Sequence, residues 1–377
     1  MKRLLIFIFV LSGHICYTQN SDFKEISEIV DNMPSKQEKS IKAIANYIKS
    51  NFQNPDDQLK AAFYWTATNI DYAVEDIRRG TTYKSTEQLI NISMRSRRGV
   101  CQAYAEIFNE IALQLNFESY VISGYVRQNG VVGINYGHAW NAVEIGKKWY
   151  LFDATWAAGH FLFSDSNRIR SKSNYIKKFT PKYFKVNPEE FIKSHMPFDP
   201  LWQISDQIIN YKAFDKSQFQ KGFRAGFNYE KIIAKLTSGS EMDHFKNSIV
   251  RVESLGKGNR LVRNYLDILK RNLEIANTNA DGETYNRALA YHSEGINFFN
   301  DYVDLYNQHK YRVKNKSKQL SKLLDHSFKA SYEAQNIYES ISTNNSTLQL
   351  NIKIKKGELE ELLEKIEEEK QYLKKQK

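Results

Sequence analysis

The chain has 377 residues, more than the roughly 100 to 200 that one hydrophobic core usually organises, so two domains are expected. Its formal net charge is +11, from 54 basic and 43 acidic residues. The sequence contains no zinc-finger spacing, phosphate-binding loop or other nucleic-acid motif, so the charge alone does not indicate a nucleic-acid partner. Beyond the first residues, no stretch approaches about 18 consecutive apolar residues, which excludes a membrane-spanning helix from the mature chain.

The first 18 residues have the pattern of a secretory signal peptide. A basic end, Met1 to Arg3, is followed by the apolar run Leu4 to Leu11 and then by small and polar residues up to Thr18. The apolar run is too short to span a bilayer. We therefore expect cleavage near Thr18 and export to the periplasm or the extracellular space.

The chain contains two cysteines, Cys16 and Cys101. Acylation of Cys16, as in a lipoprotein, would require small residues before it, whereas His14 and Ile15 are bulky. Removal of the signal peptide leaves Cys101 as the single thiol, with no partner for an intramolecular disulfide. A lone thiol in an oxidising compartment indicates a functional residue.

Helical periodicity extends from Phe23 to about Ile70, with Pro55 starting one of the helices. The segment Gly80 to Tyr83 is a predicted loop. Another helix begins at Cys101 and has one apolar stripe at spacings of three and four residues. The stripe consists of Tyr104, Ile107, Phe108, Ile111 and Leu115.

Three strand-like segments follow this helix. They are Tyr120 to Val126, His138 to Ile145 and Trp149 to Thr155. Helices followed by paired strands indicate an α+β domain with an antiparallel sheet.

The last two strands are predicted to form a hairpin with Gly146-Lys147 as its two-residue loop. This loop places His138 opposite Thr155 and diagonal to Asp153, on the same face of the sheet. Diagonal neighbours lie about 7 to 8 Å apart at the backbone, within reach of a hydrogen bond between side chains. A loop one residue longer or shorter would move Asp153 to the other face.

Four of the six prolines mark an irregular stretch, and it ends this domain near Trp202. Beyond about Ile204 only helical periodicity is present, which favours a helical bundle over a second sheet. Breaks in the periodicity occur at Ser238 to Ser240, Gly256 to Gly258, Asn279 to Gly282 and Thr343 to Asn345.

A seven-residue apolar repeat near residues 348–375 fits a short coiled coil and a bundle helix equally well. We divide the chain into a signal peptide at 1–18, an α+β domain at 19–203 and a helical region at 204–377. The repeat consists of Ile352, Leu359, Ile366 and Leu373.

Cys101, His138 and Asp153 are the residue types of a thiol acyl-transfer site. Cys101 follows Gly99 at a helix start, where unpaired amide groups and a nearby imidazolium both favour the thiolate. Each residue also has a purely structural interpretation, as a core cysteine, a strand histidine bonded to backbone and a turn-capping aspartate. Their joint occurrence, in a geometry that brings two of them within reach, favours catalysis.

A zinc site is the alternative use of these side chains, with His160 as a fourth group. Structural zinc sites usually take several thiolates, and only Cys101 remains in the mature chain. We therefore expect neither a metal ion nor another cofactor.

Four segments resemble the transglutaminase-like superfamily of papain-related thiol enzymes. They are Trp65 to Tyr72, Gly99 to Ala105, His138 to Asn141 and Trp149 to Trp156. The continuation from Tyr183 to Gln203 resembles the branch of kyphoscoliosis peptidases and cytokinesis proteins.

The resemblance implies an α+β papain-like core with no obligatory cofactor. It also implies that Cys101 is the nucleophile, His138 the base and Asp153 its orienting partner. Calcium-dependent crosslinking members of the superfamily use extra domains and acidic loops that this sequence lacks, which favours hydrolysis.

We therefore expect an exported peptidase or amidase that cleaves peptide or isopeptide bonds through an acyl-thioester. One alternative is a transglutaminase that crosslinks glutamine to lysine, and another is a non-catalytic adaptor with a vestigial triad. Trp65, Trp140 and Trp156 are candidate substrate-binding residues. A protein or peptide is the expected substrate, and the helical region is a candidate surface for a protein partner.

Overall fold

The chain divides into two compact units in the computed structural model, which describes residues 23–79, 85–161, 175–309 and 313–376. The first unit comprises residues up to 239 together with 247–267, and the second comprises 240–246 and the residues from 268 onward. The expected signal peptide and the loop at Gly80 to Tyr83 lie outside the described residues. The division at residue 203 stays a prediction.

Helices form the first part of the first unit. Asn54 accepts a hydrogen bond from the amide of Asp56, and Pro55 occupies the first turn, so the helix starts where the sequence predicts. The elements are α1 (Lys24–Asp31), α2 (Ile41–Asn51), α3 (Pro55–Asn69), β1 (Asp71–Tyr72), α4 (Val74–Arg79), α5 (Thr86–Ser96), β2 (Arg98–Gly99) and α6 (Cys101–Gln114).

Helix α6 crosses the centre of the first unit's core. The predicted apolar stripe is confirmed, because all five of its residues are buried. Phe108 of α6 contacts Phe63 of α3 edge to face, with ring centroids 5.6 Å apart. Burial of this stripe fixes the direction of the helix and therefore the position of its first residue, Cys101.

An antiparallel sheet follows α6, with strand order β4-β3-β5-β6 and with β9 paired to β3. This arrangement of helices and an antiparallel sheet confirms the predicted α+β class. The strands are β3 (Ser119–Gln128), β4 (Val131–Val132), β5 (His138–Ile145), β6 (Lys148–Phe152) and, later in the chain, β9 (His195–Pro197).

The hairpin of β5 and β6 has the predicted loop and register. Asn141 pairs with Phe152, and the loop residues Gly146 and Lys147 have φ of 58° and 65°. Two successive left-handed residues are typical of a tight hairpin turn that matches the twist of its strands.

The predicted continuation of the second strand to Thr155 is wrong. Strand β6 ends at Phe152, and α7 (Ala154–Ala158) follows it. The carboxylate of Asp153 accepts a hydrogen bond from the amide of Trp156 and so starts the helix.

Shorter elements complete the first unit. The prediction that only helices follow residue 204 is wrong for one short strand pair, because two-residue strands have no alternation for the sequence to reveal. The elements are β7 (Gly159–Phe161), β8 (Tyr175–Lys177), α8 (Pro188–Phe191), β10 (Gln207–Ile208), α9 (Tyr211–Asp215), β11 (Phe223–Arg224), α10 (Tyr229–Ile233) and α11 (Glu241–Ser254, from Asn247 onward).

Long helices make up the second unit, namely α12 (Arg260–His309, from Ile268 onward), α13 (Val313–Ser340) and α14 (Ser346–Lys375). The predicted break at Asn279 to Gly282 is wrong, because α12 continues through it. Glycine in a helix costs only about 1 kcal/mol, which the burial of Ala288 and Tyr302 further along α12 outweighs.

Helix α14 packs in one apolar cluster with α12 and α13, as a bundle helix does. Leu359, Ile366 and Leu373 of the seven-residue repeat are buried in this cluster. A coiled coil stays a prediction. Within the described residues, no helix is long and apolar enough to cross a membrane.

Candidate active site

Cys101 is the first residue of α6 and is partly exposed at the edge of the core. The residue before the helix, Val100, has no side chain that caps the first-turn amides. The amide of Ala103 donates to the carbonyl of Val100 at 2.8 Å, and no side chain neutralises the partial positive charge that the helix start places near the thiol.

Gly99 is required by a close approach of two chain segments. A Cβ atom at this position would lie 2.4 Å from the Cβ of Ala103 and 3.2 Å from Oγ of Ser93. The glycine therefore allows the segment before the thiol to pack directly against the first turn of its helix.

His138 is the first residue of β5, and its buried imidazole lies between Cys101 and Asp153. Its Nε2 atom lies 2.7 Å from Oδ2 of Asp153. Because Nε2 is engaged by the carboxylate, Nδ1 is the nitrogen left for the hydrogen bond with the Cys101 thiol.

The electrostatics of this group favour a thiolate and an imidazolium. Burial disfavours the charge on His138, but the carboxylate of Asp153 and the thiol outweigh it and raise the pKa of His138 to about 10. Burial raises the pKa of the Cys101 thiol, whereas the hydrogen bond and charge of His138 lower it, and the net direction is downward. A lowered thiol pKa increases the nucleophile present at neutral pH.

Asp153 is fully buried and caps α7 while it binds His138. Its Oδ1 atom accepts from the amide of Trp156 at 2.9 Å, and its Oδ2 atom contacts two imidazoles, those of His138 and His195. Burial raises the pKa of this carboxyl, but the two imidazoles hold it well below its usual range. The two oxygens of Asp153 therefore serve different partners, so that the residue caps a helix and also binds His138; its role in a catalytic triad stays a prediction.

Comparison with known proteins found a matching family model. Residues 31–154 match the family model described as the transglutaminase-like superfamily.

The core of the first unit is transglutaminase-like.

Two curated relatives and one solved structure illustrate the similarity. Kyphoscoliosis peptidase of Mus musculus is 25% identical over 172 residues, which is 44% of this chain and 24% of that protein. The Homo sapiens protein is 24% identical over the same shares, so the chain spans about a quarter of the length of these relatives. A crystal structure of a TGase is similar over 45% of this chain and 42% of that chain, with 18% identity and a TM-score of 0.26.

The transglutaminase-like core opens at Cys101 and His138 into a cleft of about 930 Å³. Aromatic side chains from several elements line much of it, and Lys178 and Lys182 lie on its border. The aromatic lining residues are Tyr72, Tyr136, Trp156, Phe161, Tyr175 and Tyr183.

The three tryptophans considered as substrate-binding residues have different positions. Trp156 lines the cleft. Trp65 is buried and donates to Oε1 of Glu38 at 3.3 Å, and Trp140 is buried against the ring of His195. The structure therefore brings only Trp156 to the cleft, and its role in substrate binding stays a prediction.

A metal ion is the other group that these side chains could hold. Ligand atoms of His138, Asp153 and His195 lie within 4.8 Å of one another. The same atoms are joined by hydrogen bonds to one carboxylate oxygen. We therefore interpret them as a hydrogen-bonded cluster and assign no metal to it. His160, the fourth group considered for zinc, is exposed on the border of the cleft.

His195 is the site residue that the sequence did not assign. It lies 42 positions after Asp153 in β9, beyond the residues matched by the family model. The only sequence signal was its place in the segment Tyr183 to Gln203, which carries the secondary resemblance.

Proposed function

We propose that this protein is a thiol hydrolase, a peptidase or amidase that acts on peptide or isopeptide bonds. The observation that carries the proposal is that Cys101 and His138 line a cleft while the carboxylate of Asp153 is buried against His138. Cys101 is partly exposed and lines the cleft, while its two partners are buried behind it. Such an arrangement of nucleophile, base and orienting group is what acyl transfer requires.

In the proposed mechanism, the Cys101 thiolate attacks the carbonyl carbon of the scissile amide. The carbonyl oxygen becomes an oxyanion, which the backbone amide of Cys101 is placed to stabilise at the helix start. His138 then donates its proton to the leaving amine, and the C–N bond breaks to leave an acyl-thioester.

Water completes the proposed reaction. His138, now neutral, takes a proton from water as the water oxygen attacks the thioester carbon. The C–S bond breaks, a carboxylic acid leaves, and the thiolate and imidazolium are restored. Asp153 keeps its charge throughout and stabilises the imidazolium at both stages.

Hydrolysis is preferred over crosslinking on the basis of the relatives. Those at 24% and 25% identity are named peptidases, although the chain corresponds to only a quarter of their length. The same acyl-thioester would be resolved by a lysine amine in a crosslinking enzyme, so the triad itself does not choose between the two.

Mass spectrometry of treated protein substrates tests the proposal. Incubation with a mixture of folded and unfolded proteins is expected to give fragments or deamidated products that have gained water, and Cys101→Ala is expected to give none. Products in which two chains are joined with loss of ammonia would show that the protein crosslinks its substrates and does not hydrolyse them. Absence of any Cys101-dependent product, with partner binding unchanged in Cys101→Ala, would favour an adaptor.

Export and partner binding are further parts of the proposal. Export rests on the pattern of residues 1–18, and detection of a chain beginning near residue 19 outside the cytoplasm would support it. The helical second unit lies outside the transglutaminase-like core. For this reason we propose that it recruits a partner or a substrate.

A further inference from the structure

His195 is a completely buried histidine with a polar partner on each ring nitrogen. Its Nε2 atom lies 3.1 Å from Oδ2 of Asp153, and its Nδ1 atom lies 2.8 Å from Oγ of Ser194. Strand β9 holds it in place by pairing with β3, where His195 lies opposite Val126.

The two contacts of His195 determine its tautomer. An ionised carboxylate can only accept hydrogen bonds, so Nε2 of His195 must carry a hydrogen and donate it to Asp153. Nδ1 then accepts from the hydroxyl of Ser194. Burial lowers the pKa of His195 to about 4, which agrees with an uncharged ring at neutral pH.

Aromatic rings enclose this imidazole and prevent it from turning. Phe191 stacks on it at a centroid distance of 3.9 Å and an angle of 22°. Trp156 and Trp140 lie at 4.5 and 5.2 Å. The donor is therefore aimed at Asp153 by packing, and the apolar rings keep water from competing for the carboxylate.

Three donors from three parts of the chain hold the carboxylate of Asp153. The amide of Trp156 in α7 binds Oδ1, whereas His138 in β5 and His195 in β9 share Oδ2. Without His195, the hydrogen bond from the amide of Trp156 alone would restrain rotation of the Asp153 carboxylate about its Cβ–Cγ bond when His138 moves. The orientation needed by the catalytic imidazole thus depends on a residue outside the segment that matches the family model.

We propose that His195 is a positioning residue. Its uncharged ring donates one hydrogen bond to Oδ2 of Asp153 and so keeps that oxygen in contact with His138. This inference rests on the proposed function and extends the functional site to strand β9. His195 does not contact the reacting atoms, so its effect reaches the thiol only through Asp153 and His138.

Two substitutions separate the hydrogen bond from the charge and from the packing. His195→Gln places an amide N–H near the position of Nε2 but cannot become a cation, whereas His195→Leu fills the same space without a donor. For each variant the pH dependence of alkylation by iodoacetamide is measured on the Cys101 peptide by mass spectrometry. Circular dichroism checks that each variant is folded.

The proposal predicts that His195→Gln keeps the titration of the wild type. In His195→Leu the thiol pKa should rise toward the free value of about 8.5, and alkylation at pH 7 should slow by about tenfold. If His195→Leu does not fold, His195→Asn replaces it, since the shorter amide cannot reach Asp153, and the same shift is expected.

A folded His195→Leu or His195→Asn protein with the wild-type titration would overturn the positioning role. Equal shifts in His195→Gln and His195→Leu would also overturn it, because the ring rather than its donor would then matter. Failure of the proposed function gives a different result, namely an ordinary thiol titration in the wild type itself.

Discussion

The side-chain amide of Asn141 donates a hydrogen bond of 2.9 Å to the backbone carbonyl of Ala105. Both residues are buried, and the bond joins strand β5, which carries His138, to helix α6, which begins with Cys101. This bond therefore connects the strand and the helix that bring the imidazole to the thiol. It lies three residues after His138 in the strand and four residues after Cys101 in the helix.

Replacement of Asn141 by alanine is expected to disturb the thiol as well as the fold. Loss of a buried hydrogen bond should lower the free energy of unfolding by about 1 to 2 kcal/mol. Alkylation of Cys101 at pH 7 should also slow, because the imidazole is less firmly held against the thiol. Chemical denaturation and iodoacetamide kinetics measure the two effects.

Asn109→Ala is the matched control for this prediction. Asn109 also lies in α6, and its Oδ1 atom accepts from the hydroxyl of Ser119 in β3 at 2.8 Å, but this bond does not involve the strand of His138. The Asn109→Ala substitution should lower the free energy of unfolding by a similar amount and leave the rate of Cys101 alkylation unchanged. Equal slowing in the two variants would mean that the reactivity of the thiol follows general stability.

Gly99→Ala is expected to destabilise the first unit by about 1 to 3 kcal/mol, as overpacking of a core does. The added methyl group would collide with Ala103, a backbone-fixed neighbour that cannot turn away. Gly226→Ala, in the same unit and with open space around its Cβ position, serves as the control and should be nearly neutral. Thermal unfolding of the two variants gives the comparison, and equal melting temperatures would contradict the close packing described for Gly99.

The stability of the first unit should have a broad maximum between about pH 6.5 and 8.5 from its two buried histidines and the thiol of Cys101. An unfolded histidine titrates near 6.5, whereas His195 in the fold titrates at about 4. Between these values the unfolded chain binds more protons, so stability falls as the pH is lowered. For His138, whose pKa is about 10, the fold binds one more proton above pH 6.5, but the lowered pKa of Cys101 makes the fold bind one fewer up to the unfolded thiol value of about 8.5. The two effects cancel up to that pH, and stability falls as the pH rises from about 8.5 to 10.

Urea denaturation from pH 4 to pH 10 measures this dependence. His195→Gln should reduce the slope on the acidic side, to which the Cys101 thiolate also contributes, and His138→Gln should flatten the alkaline side. The lowered pKa of Asp153 adds a further loss of stability below about pH 5, where the unfolded carboxyl begins to bind protons. An acidic slope that is unchanged in His195→Gln would show that His195 is protonated in the fold.

A buried ion pair connects the end of α11 to the segment that follows β9. Nε and Nη2 of Arg251 donate to the two carboxylate oxygens of Asp199 at 2.8 and 2.6 Å, and Ser248 donates to the same carboxylate at 2.7 Å. Removal of one partner leaves a buried charge unpaired.

Arg251→Ala should therefore lower the free energy of unfolding by about 3 to 5 kcal/mol. Ser248→Ala removes a neutral donor from the same carboxylate, which stays paired with Arg251, and should cost less, about 1.5 to 3 kcal/mol. Denaturation with guanidinium gives both values. Similar small losses in the two variants would contradict a buried, charge-dependent contact.

Sequence reasoning succeeded where a local pattern decides the structure. Side-chain periodicity predicted α6 and its buried stripe, and the pair Gly146-Lys147 predicted the hairpin register that brings His138 near Asp153. These features depend on residues close together in sequence, whose preferences agree with the final fold.

The features that sequence reasoning missed depend on distant contacts. A helix starts after Asp153, where the sequence predicted a strand that continues to Thr155, because Oδ1 of Asp153 accepts from the amide of Trp156. The role of His195 depends on the pairing of β9 with β3, between residues about 70 positions apart, and no periodicity reveals such a pairing. In the second unit, packing of α12 outweighs the turn residues at Asn279 to Gly282.

The pH dependence of Cys101 alkylation, compared between the wild type and His138→Ala, tests the central claim most directly. The rate constant is followed on the Cys101 peptide, so that Cys16 does not contribute. An activated pair predicts a wild-type thiolate that persists well below the free thiol value of about 8.5, and a return toward that value in His138→Ala. An ordinary titration in both proteins would contradict the assignment of Cys101 and His138 as a catalytic pair.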